Sequence, residues 1–206
     1  MRITLDPSGQ VVELPDEVAA LASTYGSEMM DSSELTVLGA SAALAPWTED
    51  AIVVEIGAFT GRSSIFVART LQLLGKRVPV LSIDPFERVT PDPGNPQGSY
   101  AAYLRNVQAA GVDDVCLPLC AFSRDAAPVV PARAGLLIVD GSHHYPAVSA
   151  DLVLYAPKVL PGGLIFIDDY TVHYPGVRQA IDEFFTADQP FTILHQTYFV
   201  VAQRTA

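Results

Sequence analysis

Three carboxylates and two imidazoles are spaced in this sequence so that a strand-based fold would gather them. Asp140 opens the segment Asp140-Gly141-Ser142-His143-His144-Tyr145, directly after the apolar run Leu137-Ile138-Val139. Asp168 and Asp169 follow Phe166-Ile167. If both runs are adjacent parallel strands, their carboxyl ends lie side by side and Asp140, Asp168 and Asp169 converge. Three carboxylates at one point repel one another strongly. A hard divalent cation relieves that repulsion. Magnesium takes oxygen ligands at about 2.0–2.1 Å and keeps positions for water or substrate oxygens. The blander reading, one acid capping a helix and another facing solvent, suits an Asp-Asp pair alone better than a pair combined with Asp-Gly-x-His. A hydroxyl bound to such a cation becomes easier to deprotonate. His143 is then placed to accept the proton near neutral pH, with His144 the rival base. Tyr170, His173 and Tyr174 follow the acid pair Asp168-Asp169 and would line the pocket of the acceptor.

A second constellation is Val53-Val54-Glu55-Ile56-Gly57-Ala58-Phe59-Thr60-Gly61-Arg62-Ser63. It reads as a strand, a tight turn at Gly57 and Gly61, and a helix whose free N–H groups point at the turn. Any nucleotide-type cofactor could use such a turn. A dinucleotide fingerprint requires a second glycine where Phe59 stands, and Glu55 would repel a pyrophosphate. A cationic amino-acid moiety, as in S-adenosylmethionine (SAM), suits Glu55 better. Asp84, closing Leu81-Ser82-Ile83, is placed to accept hydrogen bonds from both hydroxyls of a ribose. Phe86 would cover an adenine, and Ala121-Phe122-Ser123 would edge it.

These residues need an alternating scaffold. Strands are expected at Ala51–Ile56, Val78–Ile83, Val115–Leu119, Gly135–Val139 and Leu164–Ile167. Helices are expected at Gly61–Leu74, Ser99–Ala110, Ala147–Val159 and Val177–Thr186. A closing hairpin is expected at Phe191–His195 and Thr197–Ala202. The strands have no polar face, so the sheet is covered on both sides and mostly parallel. Residues 1–50 read as a helical preface to a core over 51–206, in one domain. The breaker-rich stretch Thr90–Gly98 would sit at the carboxyl edge, where open α/β sheets bind ligands, as a substrate lid or a plain excursion.

Over residues 50 to 203 the chain resembles the class I SAM-dependent methyltransferases. That resemblance implies a Rossmann-like seven-stranded sheet, mostly parallel, with helices on both faces and a C-terminal antiparallel hairpin. It assigns Glu55 and Gly57 to the methionine end of SAM and Asp84 to its ribose. It also brings Met30, from Glu28-Met29-Met30, against the cofactor. The pair Asp-Gly-Ser-His-His-Tyr and Pro-Gly-Gly-Leu-Ile-Phe-Ile-Asp-Asp-Tyr is similar to the metal-dependent sugar O-methyltransferases, the group that includes macrocin O-methyltransferase and is related to cephalosporin hydroxylase. In that group the equivalents of Asp140, Asp168 and Asp169 hold magnesium and the equivalent of His143 is the general base. The short length and preface also resemble actinobacterial enzymes that methylate mannose units of polysaccharides. The resemblance implies methylation of a sugar hydroxyl.

Bulk properties agree. Acids outnumber bases by 23 to 12, a formal charge of −11 with no basic run, which argues against nucleic acid as a partner. A small-molecule or oligosaccharide substrate fits better, and a homodimer is the expected assembly. No membrane segment or leader is legible, so a cytoplasmic location is expected. Cys116 and Cys120, about 13 Å apart if on one strand, are expected to be free, buried thiols. Three rival readings stand. A nicotinamide oxidoreductase is opposed by Phe59, Glu55 and the acid trio. A hydroxylase-like or catalytically silent SAM-binding protein is opposed by the intact trio and His143. A catechol-type methyltransferase is separable by a substrate panel.

Overall fold

The computed structural model describes residues 1–86, 98–186 and 188–205. An antiparallel ribbon of β1 (Arg2–Thr4) and β2 (Val11–Glu13) precedes α1 (Asp16–Tyr25) and α2 (Ser32–Leu44). The alternating core follows as β3 (Ile52–Ile56), α3 (Arg62–Leu73), β4 (Val80–Asp84), α4 (Gly98–Ala109), β5 (Cys116–Cys120), the short α5 (Ser123–Ala126), β6 (Ala134–Val139), α6 (Tyr145–Tyr155), β7 (Val159–Ile167), α7 (Pro175–Phe184), β8 (Phe191–Gln196) and β9 (Val200–Arg204). The seven core strands form one sheet in the order β5-β4-β3-β6-β7-β9-β8. Pairing is parallel from β5 through β7, and β9 runs antiparallel between β7 and β8. Successive strands are added outward to one side from β3 and to the other from β6, so a crevice opens at the carboxyl ends of these two parallel strands.

Side chains alternate between two apolar cores. Val53, Leu136, Ile138, Leu164 and Phe166 pack with α1, α2, α3 and α4 residues such as Val18, Leu38, Phe66 and Tyr103. Val54, Leu137, Val139, Ile165 and Ile167 pack with α6 and α7 residues such as Leu152 and Ile181. This period of two decides where the acids at the strand ends can point.

The expected sheet and hairpin are present, and several boundaries differ. The preface is not purely helical, because the β1–β2 ribbon opens it. The ribbon leans on β8: Asp6 N–H donates to His195 Nδ1 at 3.2 Å, Gln196 N–H to Asp6 O at 2.8 Å, and Ser8 N–H to Leu194 O at 3.3 Å. The α-helix expected to reach Val159 ends at Tyr155 and tightens into a 3-10 turn over Ala156–Lys158, where Pro157 has no N–H to continue the α-helical ladder. β7 therefore starts at Val159 and carries Pro161-Gly162-Gly163 within it, beside a register shift against β6. Cys116 is buried as expected, but Cys120, at the end of the edge strand β5, is exposed. The stretch 90–97 and its reading as a lid lie outside the described residues. Among the described residues no helix is long and apolar enough to cross a membrane.

One buried charge gives a test of the fold. Asp151 on α6 is 3% exposed. Burial pushes its carboxyl up to about 6, against the opposing effect of the Ser123 hydroxyl. In the unfolded chain it titrates near 3.9. Between those values the folded state holds more protons, so stability falls as pH rises from about 4 to 6 and the loss is complete above. Asp151→Asn is expected to raise stability at pH 7.5 by about 2 kcal/mol, roughly 4–8 °C in Tm, and to leave it little changed at pH 4. Thermal melts at the two pH values check this; a variant that melts lower at pH 7.5 contradicts it.

Candidate active site

β6 and β7 are adjacent and in register, with Val139 opposite Ile167, so the residues that follow them meet. Asp140, His143 and Asp169 each offer a ligand atom, and these atoms lie within 4.8 Å of one another. His143 Nε2 lies 2.7 Å from Asp169 Oδ2. Asp169 reaches this place through a left-handed backbone, φ 63°, which aspartate tolerates better than most residues. The start of α7 closes over the loop: a Cβ on Gly176 would lie 2.6 Å from Tyr145 N and 2.8 Å from His143 O.

The expected trio is therefore regrouped. Asp168 continues the alternation of Leu164 and Phe166 and turns toward α2, away from Asp169. It is 4% exposed. Its Oδ1 accepts the Asp169 N–H at 2.7 Å, and its Oδ2 is buried with no hydrogen-bond donor. The group facing it is another acid, Glu34 of α2, itself 6% exposed. Burial, followed by the charges of Asp140 and Glu34, pushes the Asp168 carboxyl far above the usual carboxylate range. Burial also raises Glu34 and Asp169, the latter opposed by His143. Four carboxyls this close hold protons or a cation between them. The donor set of Asp140, Asp169 and His143, carboxylate oxygens with one imidazole, fits a divalent cation. Glu34 was not among the residues expected here. Asp31-Ser32-Ser33-Glu34 has the pattern of a capping box, a signal for its conformation but not for its partner across the fold.

Of the two histidines, His143 joins the cluster. His144 is the N-cap residue of α6 and is exposed. Among the expected acceptor residues, Tyr174 sits against the His143 ring, centroids 4.1 Å apart. Tyr170 is turned to α7, its hydroxyl donating to Asp182 at 2.8 Å with Arg178 over its ring. His173 is exposed. Those two are not brought to the cluster.

The glycine turn abuts the same cluster. Gly57 has φ 94°, and a Cβ there would lie 1.9 Å from the Asp140 carbonyl oxygen, so only glycine lets the turn after β3 touch the turn after β6. Gly61 is the N-cap residue of α3, and Thr60 O accepts from Asn106. Asp84 is fixed by two backbone donors, Phe59 N–H to Oδ2 at 2.9 Å and Phe86 N–H to Oδ1 at 2.6 Å. Both donors have left-handed backbones, φ 46° and 53°, a cost of about 1–3 kcal/mol each that charge-assisted hydrogen bonds offset. Each carboxylate oxygen keeps a further lone pair for a ligand hydroxyl.

Four of the expected cofactor residues, Glu55, Ser63, Phe86 and Met30, lie in the interior. Glu55 shares the strand face of Val53 and points into the interior. It is fully buried, and the hydroxyls of Ser63 (2.5 Å), Ser82 (2.9 Å) and Ser64 all donate to it. Glu55 and Ser63 are thus engaged with one another within the fold. Phe86 is 7% exposed and packs edge-on against Tyr100 and Tyr103, at 5.1 and 5.5 Å, rather than covering an open pocket. Met30 is 4% exposed, inside the α1–α4 core. Ala121 and Ser123 stay half-buried and Phe122 exposed at the carboxyl end of β5, with Ser123 O accepting from Tyr155 at 2.6 Å.

No curated protein matches the sequence. Among solved structures, the chain is similar to the O-methyltransferase NovP, with TM-score 0.67 and 21% identity over 86% of this chain and 81% of that one. It is also similar to the O-methyltransferase TomG of Streptomyces achromogenes, involved in tomaymycin synthesis and solved with SAM, with TM-score 0.64 and 18% identity over 95% and 92%. An O-methyltransferase of Bacillus cereus, solved with SAH, aligns with TM-score 0.55 and 15% identity over 84% and 90%. At these identities the likeness is one of fold. A family model described as a methyltransferase domain matches residues 54–170, which span the glycine turn, Asp84, Asp140 and the β7 acids. The nicotinamide reading falls with that match, and the chain belongs to the methyltransferase-domain family.

Proposed function

We propose that this methyltransferase takes its methyl group from SAM and places it on a hydroxyl of a sugar or glycoside, with divalent-cation assistance. The observation that carries the reading is the convergence of Asp140, His143 and Asp169 against the Gly57 turn. Asp140 and Asp169 would hold a divalent cation, with magnesium favoured by the oxygen donors, and its chemistry there would be Lewis-acid polarisation that makes a neighbouring hydroxyl more acidic. SAM supplies an electrophilic methyl group. The chain's residues do the rest. Asp84, held by two backbone N–H groups, binds the ribose hydroxyls. Asp169 engages His143 at Nε2, which leaves Nδ1 as the nitrogen that accepts the hydroxyl proton. Tyr174 holds the His143 ring and offers an aromatic face to a sugar ring. Holding acceptor oxygen and methyl carbon in line provides much of the acceleration. The negative cluster also favours a cationic donor.

The test is calorimetric titration with SAM, with and without magnesium, followed by a glycoside and catechol panel monitored for SAH release. Binding of SAM and magnesium-dependent turnover of a glycoside is the expected result. Turnover of catechols alone would move the reading to catechol-type chemistry. Full turnover in excess chelator would remove the cation from it.

A further inference from the structure

We propose that Glu34 is a positioning residue for the acid cluster, supplied from α2, outside the span 54–170 that the family model matches. The inference rests on the cation reading above. Glu34 is the N3 residue of a capping box: Asp31 N–H donates to Glu34 Oε2 at 2.5 Å, while Asp31 Oδ1 accepts from Ser33 N–H at 2.7 Å and Glu34 N–H at 3.0 Å. Glutamine serves that motif as well as glutamate, so capping does not account for an acid here. Capping also does not require burial, yet Glu34 is 6% exposed. Burying an acid against a second acid is costly unless something compensates. What it faces is Asp168, whose Oδ2 is buried with no donor.

The capping box is itself anchored. Tyr198, between β8 and β9, donates to Asp31 Oδ2 at 2.9 Å and its hydroxyl lies 2.7 Å from Ser33 Oγ. A continuous chain of contacts therefore runs from the C-terminal hairpin through Asp31 and Glu34 to Asp168. Asp168 in turn accepts the Asp169 N–H at 2.7 Å, so Glu34 adds negative charge behind the cluster and reaches Asp169 through Asp168, and loss of such an outer partner typically weakens metal binding about 10–100-fold.

The experiment is calorimetric titration of the whole protein with magnesium and with manganese, comparing wild type, Glu34→Gln, Tyr198→Phe and Asp169→Asn, with thermal melts to establish folding. Glu34→Gln keeps the capping box and is expected to bind either cation about 10–100-fold more weakly. Tyr198→Phe leaves every cluster residue in place and is expected to weaken binding about threefold, the loss of one modest hydrogen bond. Amide exchange at Ser33 and Glu34 should slow on cation binding in wild type and not in Glu34→Gln. If wild type binds the cation, Asp169→Asn does not, and Glu34→Gln binds within twofold of wild type, the inference fails while the cation reading stands. If wild type binds neither cation, both fail. If Glu34→Gln does not fold, Tyr198→Phe decides: unchanged affinity overturns the inference.

Discussion

Asp169→Asn is expected to lower turnover by about 10³-fold or more while leaving SAM affinity near wild type. Asp169 does two things at once. It is one of the two carboxylates grouped with His143, and its Oδ2 contacts His143 Nε2 at 2.7 Å. On the proposed mechanism, neutralising it removes a cation ligand and the charge that orients the imidazole. Cation polarisation of a reacting oxygen contributes several kcal/mol, and each ~1.36 kcal/mol is tenfold in rate. Asparagine accepts the φ of 63° as readily as aspartate, so the backbone stays in place. The glycine turn and Asp84 are untouched, which is why binding of SAM should survive. SAH release at saturating SAM and magnesium, beside a SAM titration, reads both quantities. A variant that keeps a tenth of wild-type turnover contradicts the assignment.

His143→Gln is expected to cost about 10²–10⁴-fold in kcat, the usual range for a general base, with KM little changed. The informative readout is the pH profile. With the base gone, turnover should keep climbing with pH where the wild type has levelled off, because solvent base then takes the proton. Glutamine keeps a polar group beside Asp169 without a titrating nitrogen. If raising magnesium restores the variant's rate, His143 serves as a ligand and not as the base. His144→Gln is the companion variant; its ring is exposed at the start of α6, and turnover should stay near wild type.

The scaffold was legible because its signals are local. Val53-Val54 and Leu137-Ile138 have no polar face, and strands of that kind sit inside a doubly covered sheet. The convergence of Asp140 with the β7 acids followed from strand adjacency alone. The direction of each side chain was also written in the sequence, though less plainly. Glu55 shares parity with Val53, and Asp168 with Phe166, so both face the α1–α4 side. Reading the period of two to the strand ends would have separated Asp168 from Asp169 and sent Glu55 to Ser63 and Ser64. Other features were not accessible to local reading. Glu34 meets Asp168 only through the packing of α2 on β7. Phe86 was assigned by its place after Asp84, and its left-handed backbone sends the ring into the core. The β1–β2 ribbon is too short to show a period.

The ribbon has a bearing on what company the sheet can keep. An edge strand is an open row of donors and acceptors, a template for any extended chain that comes by. Here the C-terminal half of the β8 edge, Leu194 to Gln196, is occupied by the chain itself, through the Pro7–His195 bridge and the backbone contacts of Asp6 and Ser8. The opposite edge, β5, carries Pro118 at its middle, a residue with no N–H to lend to a newcomer. Both flanks are thus guarded against strand addition. Edge pairing between copies of this chain is discouraged from either side of the sheet.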